Sequence, residues 1–280
     1  MGQNAELGHK QAKDNKHDSG YDTLDVSASD VLSAAKYDWK QAAVHVSASG
    51  LELRQNAGKN QLINLAKSRL KNAMNTFKNN ISSDIYSDGT ATNQINGLQA
   101  LVADAGTGTV GGINSSTYAF WQNIVQSAAA PLQGGAGITP SASTIKSLMN
   151  PLWLALKRGN DAPDLIMAGA TYFEYFWDSL QDLQRYASAD NATAGFQMLK
   201  YVTADVVHDG ASWGKYSGGL SDTRMYFLNT EYLGMTVHKD ANMTEVPEQR
   251  SVNQDAVVIP IIHQFNLTCS NRSLQGIVKA

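Results

Sequence analysis

The chain has 280 residues, with 22 Lys plus Arg against 25 Asp plus Glu and a formal net charge of −3. That balance excludes a strongly basic nucleic-acid binder and an acidic polyanion mimic, while the length suffices for one large or two modest hydrophobic cores. The single cysteine, Cys269, excludes an intramolecular disulfide and a cysteine-based zinc site and suits a reducing compartment.

Residues 1–30 mix Asp, Lys, His, Ser and Gly with few apolar positions, which describes an arm that orders only by docking. Residues 1–16 lack the apolar centre of a secretory signal, and Glu6 stands where a myristoylation signal needs Ser or Thr. The longest apolar run, 257–262, is far too short to span a bilayer, so no membrane association is expected. Over 31–57 the pattern becomes strand-like. Val44 and Val46 flank His45, and Leu51 and Leu53 flank Glu52, predicting a long β-hairpin or extended loop. A two-stranded hairpin with so thin an apolar face is marginal alone, so it should lie against another element or another subunit.

Over 58–80 the apolar residues Leu62, Leu65, Ala66, Leu70, Ala73, Met74 and Phe77 recur at steps of three and four. This spacing predicts an amphipathic spine helix about 35 Å long. Lys59, Lys67, Lys71 and Lys78 line another face, and no acidic residue occurs between Glu52 and Asp84. Such a stripe is either solvated or turned toward a polyanion.

Charged residues make up 17% of the chain, against about 25% in ordinary soluble domains. The deficit is local, since residues 105–145 contain no Asp, Glu, Lys, Arg or His although they are rich in Gly, Ser, Thr and Asn. Such a segment is either a neutral loop or a contact between chains, because charge is depleted at interface centres. Farther on, Thr139-Pro140 is a good helix start, and Ile145, Leu148, Met149, Leu152 and Leu156 continue it. A short strand at 165–167 and a second amphipathic helix over 172–186 complete an α/β unit. Strands are predicted at 225–228, 233–238, 257–263 and 265–269.

Several motifs bear on catalysis. Residues 106–111 match G-x-G-x-x-G, but no acidic residue follows until Asp161 and Gly112-Ile113-Asn114 stands where a helix should open, so dinucleotide binding is not supported. Residues 210–214 match the G-x-S-x-G nucleophile elbow around Ser212, with Asp222, His238, Asp240 and His263 downstream. The following Lys215-Tyr216-Ser217-Gly218-Gly219 opens a helix poorly, leaving a serine hydrolase as a minor alternative. The six histidines show no metal-ligand spacing, and no catalytic residue, cofactor or metal is assigned.

The order of elements, with short runs inside them, carries a resemblance. These runs are Tyr37-Asp38-Trp39-Lys40-Gln41, Leu70-Lys71-Asn72-Ala73, Tyr86-Ser87-Asp88-Gly89-Thr90 and Gly97-Leu98-Gln99-Ala100-Leu101-Val102. They continue with residues 108–114, Phe120-Trp121-Gln122-Asn123, Pro163-Asp164-Leu165-Ile166, Asn229-Thr230-Glu231-Tyr232-Leu233 and residues 266–272. Taken in this order they resemble the major capsid protein of tailed bacteriophages, with the Johnson, or Hong Kong 97-like, fold.

The resemblance implies an α+β subunit with an N-terminal arm (1–30), an extended loop (31–57), a peripheral domain with the spine helix (58–125), an axial α/β domain (126–224) and strands completing both (225–280). It further implies a non-enzymatic structural protein of the virion, assembled in the host cytoplasm as hexamers and pentamers into an icosahedral head around double-stranded DNA. Lys59, Lys67, Lys71 and Lys78 would then face DNA without sequence specificity. The short region before the loop leaves no room for a large fused scaffold, so scaffold, portal or decoration proteins would be separate chains. A shell around protein cargo, a nanocompartment with the same fold, is the alternative.

Overall fold

The computed structural model describes residues 3–7, 33–55, 65–181, 199–209, 219–250 and 254–280. In chain order the elements are β1 (Gln3–Leu7), β2 (Ser33–Tyr37), β3 (Lys40–Ser49), α1 (Gly50–Gln55), α2 (Leu65–Asp84), α3 (Leu98–Leu101), β4 (Thr109–Val110), β5 (Ile113–Asn114) and β6 (Ile124–Ser127). There follow α4 (Ile145–Leu156), β7 (Leu165–Ala168), α5 (Ala170–Gln181), β8 (Leu199–Tyr201), β9 (Ala204–His208), β10 (Arg224–Leu228), β11 (Leu233–Val237), β12 (Thr244–Glu245), β13 (Gln249–Arg250), β14 (Ala256–Cys269) and β15 (Gly276–Lys279).

A six-stranded mixed sheet in the order β6-β15-β10-β7-β9-β8 forms one centre of the molecule. Alternation along β10 sends Met225 and Phe227 to one face and Tyr226 and Leu228 to the other. The first face packs on α4 and α5 through Leu148, Leu152, Tyr172 and Phe176. The second is covered by Tyr37, Leu98, Leu101, Ile113 and Trp121. Both faces are apolar because both are buried, and each fully buried side chain contributes roughly 1.5–3 kcal/mol.

The second sheet is organised on β14, which pairs antiparallel with β3 along one side and with β11, β12 and β13 along the other. Phe77 and Ile81 of α2 dock against it with Ile95 and Phe265. The expected break at Gln264 between two strands is absent, and β14 runs through 14 residues. Pro260 is tolerated inside it because its missing N–H lies on the side between β12 and β13, away from β3, and its carbonyl accepts from the Val246 N–H (2.8 Å).

Three expectations need correction. The ribbon over 31–57 is not a hairpin: β3 finds its partner about 210 residues away in β14, with Val46 opposite Ile259, and Leu51 and Leu53 lie in α1. Its ladder on that side is therefore satisfied within the chain. The spine helix extends four residues past Asn80 to Asp84, because Phe77 and Ile81 are one turn apart and both bury, overriding weak formers such as Asn80 and Ser82; residues 58–64 lie outside the described residues. The helix expected from Pro140 begins at Ile145, after a turn in which the Thr144 hydroxyl donates to the Thr139 carbonyl (2.7 Å). Of the arm, only Gln3–Leu7 is described, as a strand paired with β2.

Candidate assembly interface

At the loop, Ser49 and Glu52 cap α1 reciprocally: the Glu52 N–H donates to Ser49 Oγ and the Ser49 N–H to Glu52 Oε2, both at 3.3 Å. Arg69 of α2 then grips Glu52 with two parallel bonds of 2.9 Å and donates a third to the Ser47 carbonyl at 2.9 Å. That fork holds the Glu52 carboxyl below its ordinary range. On the opposite side Arg54 pairs with Asp255, and the Gly50 N–H bonds the Asp255 carbonyl (2.7 Å). The S-x-x-E signature at 49–52 was the sequence signal for this helix, and the apolar alternation of Leu51 and Leu53 obscured it.

The Gly50 bond also sets the phase of the β3–β14 ladder. Ala42, Val44, Val46 and Ala48 exchange bonds with β14, and the backbone groups of Gln41, Ala43, His45 and Ser47 point outward. Among the described residues no strand pairs with this outer edge.

Lys67, Lys71 and Lys78 are exposed on α2 and fall on one stripe by helical spacing, beside the stripe that buries Phe77 and Ile81. Lys59 lies outside the described residues, so only three of the four lysines are brought together.

The uncharged segment 105–145 divides. Ile113, Trp121 and Ile145 are buried, and Gly111, with positive φ, has its Cα so close to Ala35 that a Cβ there would stand 2.6 Å from the Ala35 methyl. This close approach, expected between chains, occurs within one. The rest of the segment lies mostly at the surface. Around β6 it contributes Phe120, Ile124 and Leu132 to an open groove of about 1150 Å³, which Arg158, Asp161 and Tyr232 of other segments also line. The groove left no local signal in the sequence because separate chain segments contribute its walls.

Arg272, between the groove-lining Asn271 and Ser273, is fully buried. Its guanidinium donates to the Leu101 carbonyl (2.6 Å), the Trp121 carbonyl (3.1 Å) and Asn123 Oδ1 (2.8 Å), and it lies 5.9 Å from the centre of the Trp121 ring. Neighbouring Cys269 is buried, which pushes its thiol up to about 12 and keeps it unreactive.

Of the two catalytic motifs, only the first lies among the described residues. Residues 106–111 lead into the β4–β5 hairpin, not a helix, and Ser212 lies outside the described residues. Among the described residues no three His, Cys, Asp or Glu side chains group as a metal site, and no helix is long and apolar enough to cross a membrane.

No family model and no curated protein matches the chain. Solved structures do. A chain of the cyanophage A-1(L) capsid asymmetric unit superposes with a TM-score of 0.67 at 15% identity, covering 99% of this chain and 88% of that one. A chain of the capsid of an empty GTA particle gives 0.57 at 11% identity, with 98% and 84% covered. The holo-SrpI encapsulin complex from Synechococcus elongatus PCC 7942 gives 0.56 at 8% identity, with 88% and 75% covered. This chain therefore has the α+β, Hong Kong 97-like fold of phage capsid subunits, shared with the encapsulin shell.

Proposed function

We propose that this chain is the major capsid protein of a tailed phage, a non-enzymatic subunit that self-assembles through hexamers and pentamers into the icosahedral head enclosing double-stranded DNA. The observation that carries this is the likeness to the cyanophage capsid chain, which extends over 99% of the residues and is therefore not confined to one shared motif. In this reading 1–30 is the arm, 31–57 the extended loop, 58–125 the first part of the peripheral domain, 126–224 the axial domain and 225–280 the strands completing both. The virion is its location and the host cytoplasm its place of assembly, with scaffold, portal or decoration proteins supplied as separate chains.

Lys67, Lys71 and Lys78, continued by Lys59, would face the packaged DNA through phosphate contacts alone. Replacing Lys67, Lys71 and Lys78 with Gln should lower the slope of log affinity for duplex DNA against log salt by about 2–3, since each phosphate contact contributes about 0.9. An unchanged slope would remove these lysines from the DNA face. The likeness to an encapsulin supports a second reading, a shell around protein cargo. Particles purified from producing cells and treated with nuclease separate the two: protected double-stranded DNA supports the head, and protein cargo without DNA supports the compartment.

A further inference from the structure

The two edge strands of the six-stranded sheet carry opposite features. At one edge, β8 and β9 are joined by the two-residue loop Val202-Thr203, with Tyr201 paired to Ala204. Val202 has φ +56° while Thr203 keeps an ordinary φ. A two-residue loop with positive φ only at its first central position is one that glycine fills without strain, and a β-branched residue there is a steric outlier. Val202 is nevertheless 66% exposed, so its side chain contributes little to this subunit's own core.

The hairpin beneath it is firmly held. Tyr201 packs edge-on against Trp153, Phe176 and Phe227, and its hydroxyl donates to Asn150. Leu154, one helical turn from Asn150, is 71% exposed, so a second large apolar side chain stands in water on the helix that anchors Tyr201. Strain that fixes an apolar side chain in water on a rigid support indicates a contact made elsewhere.

At the other edge, about 24 Å away at 4.8 Å per strand, β6 borders the groove described above. Its volume of about 1150 Å³ exceeds the 300–1,000 Å³ of ordinary small-ligand pockets. Arg158 and Asp161 face it, bonded to the Ser273 and Tyr232 hydroxyls, and among the described residues neither has an ion-pair partner. The hairpin carries Lys200 and Asp205, whose side chains are partly exposed and lie 3.6 Å apart. The groove mixes polar side chains with the apolar Phe120, Ile124 and Leu132, which suit Val202 and Leu154, and knob and groove each bring one cation and one anion.

We infer that the Val202 hairpin of one copy seats in the β6 groove of the next copy. Because the two surfaces lie at opposite edges of one sheet, the contact is head-to-tail and generates a ring when the rotation closes. This inference rests on the shell reading above and names the contact that would join neighbours within a capsomer.

The test uses the full chain, whose sole native cysteine is buried. Val202→Cys is combined with Phe120→Cys or with Leu132→Cys, and assembled particles are oxidised with diamide. A ladder from dimer to closed ring on a non-reducing gel, present in a double variant and absent from each single variant, is expected. Particles that form normally but give no ladder with either pair would overturn the knob-in-groove contact and leave the shell reading standing. A dimer from Val202→Cys alone would overturn it in favour of a two-fold contact, and wild-type protein that never assembles would overturn both. Independently, Val202→Asn should keep or raise the thermal midpoint of the isolated subunit, since Asn tolerates positive φ, while cutting particle yield about tenfold or more. Undiminished yield contradicts the inference.

Discussion

Arg272 is a buried cation with carbonyl and amide oxygens, and no carboxylate, at the end of its bonds. It joins α3, the turn at Trp121 and the C-terminal strands, so its loss leaves acceptors from separate segments unsatisfied. Lysine cannot reproduce the planar fork, and Arg272→Lys should destabilise the subunit by roughly 2–4 kcal/mol in a denaturant titration; a change below about 1 kcal/mol would show that the clamp is dispensable. The run containing Arg272 was legible as part of a resemblance, but its role was not, because its partners lie 149–171 residues earlier in the chain.

His263 gives a pH dependence. It is 3% exposed, stacks at 4.5 Å on Phe265, meets Phe77 edge-on, and accepts the Met243 N–H at Nδ1 (3.3 Å). Burial holds its pKa below the ordinary 6.5. The unfolded chain therefore binds a proton at higher pH than the folded one does. This contribution is fully present above about pH 6.5 and is lost as pH falls toward the lower folded value. The denaturation midpoint of wild type should drop between pH 7 and pH 5, and His263→Gln should flatten that drop; identical pH profiles would exclude His263 as its source.

At the scale of elements, α2 and α4 were legible because a buried face with a period near 3.6 requires only local residues. Their ends were less so, since Asp84 is reached through the packing of Ile81, and Ile145 follows a turn built from hydroxyl bonds. A segment as short as α1, with Leu51 and Leu53 two apart, cannot distinguish a strand from a helical turn, and only the Ser49–Glu52 cap decides it. Arg69 fixes that turn to the spine helix. Arg69→Ala should accelerate hydrogen exchange at residues 47–55 while leaving α4 and α5 unchanged. Equal protection in both proteins would show that the fork does not hold the loop.

For the whole molecule, the pairing of sheets was the least legible feature. Periodicity identified β3 and most of β14 as strands, yet nothing local indicates that Ala48 stands opposite Val257. Sequence alone therefore leaves open whether that partner is another element or another subunit. The lysine stripe was visible from spacing alone, whereas the groove depends on tertiary folding. Among the described residues, the outer edge of β3, the β6 groove and the strained Val202 hairpin face outward, surfaces suited to further copies. Electron microscopy of the purified full-length protein tests this most directly. Closed shells, or rings and tubes of the same subunit, are the expected result; a protein that stays monomeric across pH, salt and concentration would contradict the proposed function.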